Sequence, residues 1–147
     1  MQPLPVMQAI TVPASLDSLE RVACYVRTLA EQGNLSESAA YKLRLAVDEI
    51  VTNIIDHGYR DGHGEICVSG GLAGDCVWLQ VADRAPRFDP RTARSGPQPN
   101  TPAMEIRPGG LGLFLALQAV DGFSYEFANG KNINTLTMSS ERYGGCS

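Results

Sequence analysis

Glu49, Asn53 and His57 fall at i, i+4 and i+8 in the stretch Leu45-Ala-Val-Asp-Glu-Ile-Val-Thr-Asn-Ile-Ile-Asp-His57, so on a helix they form one polar stripe. A solvated helix face is ordinarily made of Lys, Glu and Arg. This stripe holds a carboxylate, an amide and an imidazole instead. A metal–phosphate site uses these groups: a carboxylate can take a proton, and an amide oxygen suits a hard cation. A second stripe, Leu43, Val47, Ile50, Val51 and Ile54, has the spacing of a buried helix face. The segment alone also fits a plain amphipathic helix with a polar outer side, and the rest of the chain decides between the two.

Two other stretches bear on that choice. In Gly109-Gly-Leu-Gly-Leu113, glycines precede an apolar helix, so backbone N–H groups can approach phosphate oxygens at a helix N-terminus. No Gly-Lys-Ser/Thr follows, which excludes a Walker P-loop, and no parallel βαβ unit surrounds it, which excludes a Rossmann fingerprint. In Val81-Ala-Asp-Arg-Ala-Pro-Arg-Phe-Asp-Pro90, Asp83 stands where a strand ends. Its carboxylate can accept a hydrogen bond from an exocyclic amine, the group that separates adenine from guanine; an Asp opening a turn before Pro86 is the plainer reading.

The elements that must position these groups follow from periodicity and turn chemistry. Met7–Val12 alternates as a strand at a sheet edge, and Pro13 stops it. Ser15 is placed to cap a helix whose apolar positions are Leu16, Leu19, Val22, Ala23, Val26, Leu29 and Ala30, and Gly33-Asn34 ends it. Ser36 caps the helix that carries the polar stripe, which runs to about Asp56–Gly58. Glu65–Ser69 and Cys76–Ala82 read as antiparallel strands joined through the Gly70-Gly71 region, with Trp78 as a core or half-buried strand residue. Between Asp83 and Gly109 lie six of the nine prolines, in a segment long enough to be a lid or binding loop. Leu111–Val120 is an apolar helix, and Phe123–Phe127, Asn129-Gly130 and Ile133–Met138 form a terminal hairpin. The order β-α-α-β-β-lid-α-β-β predicts an α+β two-layer sandwich, with a mixed, mostly antiparallel sheet and helices on one face.

Composition narrows the function. A chain of 147 residues with 44% apolar and 19% charged residues suits one soluble domain over its whole length. A net charge of −4 argues against direct nucleic-acid binding. No apolar run is long enough to span a bilayer, and the N-terminus lacks a signal peptide's pattern, so the expectation is a cytoplasmic protein without membrane contact. The four cysteines show no metal-ligand spacing; Cys24, Cys67 and Cys76 read as buried thiols and Cys146 as a tail residue.

Together, Glu49-xxx-Asn53, Asp83-x-Ala85-x-x-Phe88 and Gly109-Gly-x-Gly112 resemble, in order, the N, G1 and G2 boxes of the ATPase fold shared by DNA gyrase B, histidine kinases and MutL. The resemblance is strongest to the bacterial anti-sigma factor serine/threonine kinases, also in Phe88-Asp-Pro90, Gly109-Gly-Leu-Gly-Leu113 and Gly130-Lys-Asn132, and it covers about residues 7–139. It implies a chain that binds Mg²⁺ and ATP, sequesters a sigma factor and phosphorylates a Ser or Thr of an anti-anti-sigma protein of the STAS type. It also implies a homodimer, for which the Met7–Val12 edge offers a pairing surface. By the same resemblance Asn53 holds the Mg²⁺, Glu49 is the general base, and Asp83 reads adenine. Ala85, Phe88, Arg107, Gly109, Gly110, Leu111, Gly112, Leu113 and Thr135 are carried over as nucleotide-binding positions, and residues 84–109 as the ATP lid. His57 is assigned to packing or to supporting hydrogen bonds. Arg84, Arg87, Arg91 and Arg94 lie in the lid beside Arg107, free for phosphate, partner or solvent. The family commonly has glycine where this chain has Ala85; a positive φ there would cost about 1–2 kcal/mol, and otherwise the methyl only tightens the pocket. A non-catalytic module of the same fold, acting by partner sequestration alone, is the alternative reading.

Overall fold

The computed structural model describes residues 6–59, 61–92 and 110–140. Strand β1 (Val6–Pro13) is followed by helices α1 (Leu19–Gln32) and α2 (Glu37–Asn53), the hairpin β2 (Glu65–Ala73) and β3 (Cys76–Asp83), helix α3 (Gly110–Ala119), and the hairpin β4 (Gly122–Ala128) and β5 (Lys131–Ser139). This is the order expected from the sequence. The strands form one sheet in the order β1-β2-β3-β5-β4, and every pairing is antiparallel, so the sheet is not mixed. Helix α1 packs on α2 and β2, while α2 packs on β3, β5 and α3. The result is the expected α+β sandwich, with β1 at one edge.

The apolar stripe of α2 explains its docking. Leu43, Val47, Ile50, Val51 and Ile54 are all buried, each adding about 1.5–3 kcal/mol over an exposed position. Ser36 caps the helix as expected, its Oγ accepting the Ala39 N–H at 3.0 Å. Past Asn53 the helix widens into a single π turn, Ile54–Gly58, which carries His57.

Helix α1 departs from expectation at both ends. Ser15 makes no side-chain cap bond, and Leu16, in a short 3-10 turn, is 63% exposed. Ser18 Oγ instead ties the entry to β1 by donating to the Pro13 carbonyl at 2.7 Å. At the other end Asn34, not Gly33, takes the left-handed conformation, with φ 55°. Its N–H bonds the Glu31 carbonyl at 3.1 Å and that of Leu35 bonds Ala30 at 3.0 Å, the pattern of a Schellman cap. Gly33 is needed for space, since a Cβ there would lie 2.1 Å from Val77 Cγ2.

The Gly70-Gly71 region is not the turn. Both residues lie within β2, and the hairpin closes at Gly74-Asp75 with Gly74 at φ 63°. A Cβ on Gly70 would come within 2.7 Å of Leu29 Cδ2 and 2.8 Å of the Trp78 carbonyl, so close helix–sheet packing calls for glycine there. The Asn129-Gly130 turn is as expected, with both residues at positive φ. Trp78 is half-buried. Two of the three cysteines expected to be buried are less so: Cys24 is exposed on α1 and Cys67 half-buried on β2. Cys76 is buried but disulfide-bonded rather than a free thiol. Cys146 lies outside the described residues.

Candidate functional site

The inner face of β3 and β5 changes character along its length. Val77 faces Met138 and Leu79 faces Leu136, an apolar ladder under the helices. The next rungs are Val81 with Asn134 and Asp83 with Asn132, all buried. The sheet thus supplies a polar floor where α2 ends above it, and a cavity of about 200 Å³ opens there. Asn53, Ile54 and His57 line it from the helix side, Ala85 and Phe88 from the loop after β3, and Leu113 from α3.

Asp83 is 4% exposed. Its Oδ1 accepts the Ala85 N–H and Asn132 Nδ2, each at 2.9 Å. Burial raises its pKa above the ordinary carboxylate value, and these two bonds oppose that shift. Oδ2 has no donor among the described residues and remains an acceptor on the cavity floor.

Asn132 enters the sequence reading only as the end of Gly130-Lys-Asn132, with no role assigned, yet it organises the loop. Its Nδ2 also donates to the carbonyls of Ala85 at 3.0 Å and Pro86 at 3.3 Å. Its Oδ1 accepts the Phe88 N–H at 2.9 Å and the Tyr125 hydroxyl at 2.5 Å. One amide therefore pins residues 85–88 to the sheet. The available signal was a polar residue at an inward position of an alternating strand. Asn132→Ala removes five hydrogen bonds and strands several buried groups. Urea unfolding is expected to show a loss of about 2–4 kcal/mol; a loss below about 0.5 kcal/mol would contradict the clamp.

Ala85 is not among the non-glycine residues with positive φ, so its methyl brings no backbone strain. It is buried against Gly58, where an added Cβ would lie 3.4 Å from the Ala85 Cβ. The methyl tightens the contact between the end of α2 and the loop. Tyr59 reinforces it: its hydroxyl donates to the Glu65 carbonyl at 2.6 Å and accepts the Arg84 N–H at 2.8 Å.

Glu49 lies against the first turn of α3. A Cβ on Gly112 would sit 2.7 Å from Glu49 Oε1, so any side chain there would push the carboxylate from this position. Burial, and then the charge of Asp48, raise the Glu49 pKa. Asn53, one turn on, is half-buried, and His57 is exposed at the cavity rim.

The other positions expected to bind nucleotide divide. Gly110 and Leu111 open α3, and Leu113 is buried in the cavity wall. Arg94, Arg107, Gly109 and residues 93–109 of the lid lie outside the described residues. Arg91 is held by Asp89, with Nη2 2.7 Å from Oδ2, and Arg87 lies 5.7 Å from the Phe127 ring centroid. Thr135 is misplaced as a nucleotide contact. It pairs with Gln80 and Ser124 on the sheet face away from the helices. Successive strand residues point to opposite faces, and Asn134 takes the inward place.

Comparison with known proteins identifies the family and supports the fold. The family model described as "Histidine kinase-like ATPase domain" matches residues 12–140. The serine-protein kinase RsbW of Oceanobacillus iheyensis is 32% identical over 114 residues, covering 75% of this chain and 72% of its own. That of Halalkalibacterium halodurans is 30% identical over 115 residues, covering 76% and 70%. A crystal structure of the RsbU and RsbW domains of a Mycobacterium tuberculosis protein superposes with a TM-score of 0.62 at 25% identity, over 93% of this chain and 33% of that one. The chain belongs to the histidine kinase-like ATPase family and, within it, to the anti-sigma factor serine/threonine-protein kinases of the RsbW kind.

Proposed function

We propose that the chain binds Mg·ATP in the cavity above Asp83 and transfers the γ-phosphate to a Ser or Thr of a STAS-type antagonist while sequestering a sigma factor in the cytoplasm. The observation that carries the reading is the two-ended site. At one end the buried Asp83 keeps an acceptor oxygen for a base; at the other, Glu49 and Asn53 lie one helical turn apart beside the N-terminus of α3. The helix end favours phosphate charge, and Gly112 keeps the approach open.

In the transfer, the antagonist's hydroxyl oxygen forms a bond to the γ-phosphorus as the bond to the β-phosphate oxygen breaks and ADP leaves. Glu49 takes the hydroxyl proton, and its raised pKa makes it a stronger base than an ordinary carboxylate. Among the described residues no group of three or more His, Cys, Asp or Glu could hold a metal. The Asn53 amide oxygen fits an ion whose other ligands are phosphates and water; bound there, Mg²⁺ would neutralise phosphate charge. No helix among the described residues is long and apolar enough to cross a membrane. A homodimer paired along the β1 edge belongs to the same reading.

The test is incubation with γ-labelled ATP, Mg²⁺ and the cognate antagonist. Label is expected on a Ser or Thr of the antagonist. ATP binding without transfer would favour the non-catalytic module.

A further inference from the structure

Among the described residues of the cavity floor, Asn134 is the amide with an unmet need. It is 2% exposed, and its Nδ2 donates to the Val81 carbonyl at 3.3 Å. Its Oδ1 is buried and accepts no hydrogen bond from the described residues. The amide cannot improve its position by turning over, because that would bring Oδ1 against the Val81 carbonyl oxygen. An acceptor left unmade in the interior is costly, so a polar residue kept there points to a donor supplied from outside the chain.

The register shows which donor. Asn134 faces Val81 and Asn132 faces Asp83, so Asn134 is the diagonal neighbour of Asp83 on the same inward face. Both residues line the cavity. The floor therefore holds two side-chain acceptors without a partner among the described residues, Asp83 Oδ2 and Asn134 Oδ1, while Asn132 Nδ2 is spent on protein oxygens and Asn134 Nδ2 gives one of its two N–H groups to the Val81 carbonyl. A ligand with a carbonyl at that place would leave both acceptors unmet. One with an amine bearing two N–H groups would satisfy both.

We propose that Asn134 is a second base-reading residue beside Asp83, accepting the other N–H of the adenine amine and discriminating against purines with oxygen at that carbon. This rests on the nucleotide reading above. Leucine at 134 would match the apolar rungs behind it, so the asparagine trades stability for recognition.

The test is calorimetric titration of the full chain with ATP and with purine riboside triphosphate, which carries only hydrogen at the amine position, both with Mg²⁺. In Asn134→Leu the affinity for ATP is expected to fall about fivefold to tenfold, as for one lost neutral hydrogen bond. Affinity for the purine analogue should change by less than about twofold, because it never made that bond. The melting temperature of the nucleotide-free variant is expected to rise, since the unmet oxygen is gone. Should leucine overpack and fail to fold, Asn134→Val, which suits a strand, replaces it in the same comparison. Unchanged ATP affinity, or an equal loss for both nucleotides, would overturn the role of Asn134 while leaving ATP binding intact. A folded parent chain that binds neither nucleotide would remove the nucleotide reading itself, and Asn134 with it.

Discussion

Glu49→Gln is expected to slow phosphotransfer about 10²–10⁴-fold, the usual share of a positioned general base, while ATP affinity stays within about twofold of the parent. The change is isosteric, so the contact with the first turn of α3 at Gly112 survives. Only the ability to hold the hydroxyl proton is lost. Burial and the charge of Asp48 raise the pKa of Glu49, so the rate in the parent should climb with pH through a value above the ordinary 4.5. That limb should vanish in the variant. The folding linkage has the opposite sign: a raised carboxylate pKa means that the folded chain holds the proton more tightly. The ionised group therefore costs stability as pH rises through it, and Glu49→Gln should be no less stable than the parent near neutrality. Single-turnover transfer to the antagonist, measured across pH, checks both statements. Full transfer by Glu49→Gln with an unchanged pH profile would assign the base elsewhere.

The second large effect concerns Asn53. Asn53→Ala should weaken Mg·ATP binding about 100-fold, equivalent to roughly 2.8 kcal/mol, because in the proposed site this cavity-lining side chain would supply the protein oxygen for the ion. With the metal chelated, parent and variant should converge, since the lost contact runs through the ion. Calorimetry with and without Mg²⁺ reads this directly, with circular dichroism as the check that α2 is intact. Equal loss in both conditions would mean that Asn53 acts on the fold or the nucleotide and not on the ion.

The two effects are separable because they lie on different atoms of one helix. Glu49 faces α3, and Asn53 faces the cavity, one turn further on. A variant at either position tests one end of the site while the polar floor of Asp83, Asn132 and Asn134 is untouched.

Much of this arrangement is legible in the sequence. The apolar stripe of α2 is a local, 3.6-period signal, and all five of its residues are buried. The Ser36 cap and the Asn129-Gly130 turn depend on a few neighbouring residues, and both appear as expected. The three boxes can be ordered because Glu49 lies within, Asp83 at the end of and Gly112 in the first turn of elements that periodicity already marks. The misreadings have a different origin. Gly70 and Gly33 look like turn residues in one dimension, but each is small because another element presses on it: Leu29 and the Trp78 carbonyl in one case, Val77 in the other. Ser15 has a capping residue's chemistry, yet the bond that orders the turn runs from Ser18 to Pro13.

What the sequence by itself determined was the class of elements and their order, and it marked the residues proposed to hold phosphate, metal and base. Those properties follow from backbone preference and side-chain type within a few residues. Tertiary structure alone decided that the inward face of β5 meets the cavity beside Asp83. Alternation with Leu136 and Met138 marks Asn134 as inward and Thr135 as outward, but not what Asn134 will face. Tertiary structure likewise decided that Asn132 grips Asp83 and the loop after it, the bond to Asp83 spanning 49 positions of chain. Such pairs are specified by how strands align once the helices have buried their apolar stripes, and they exist only when the sheet is assembled.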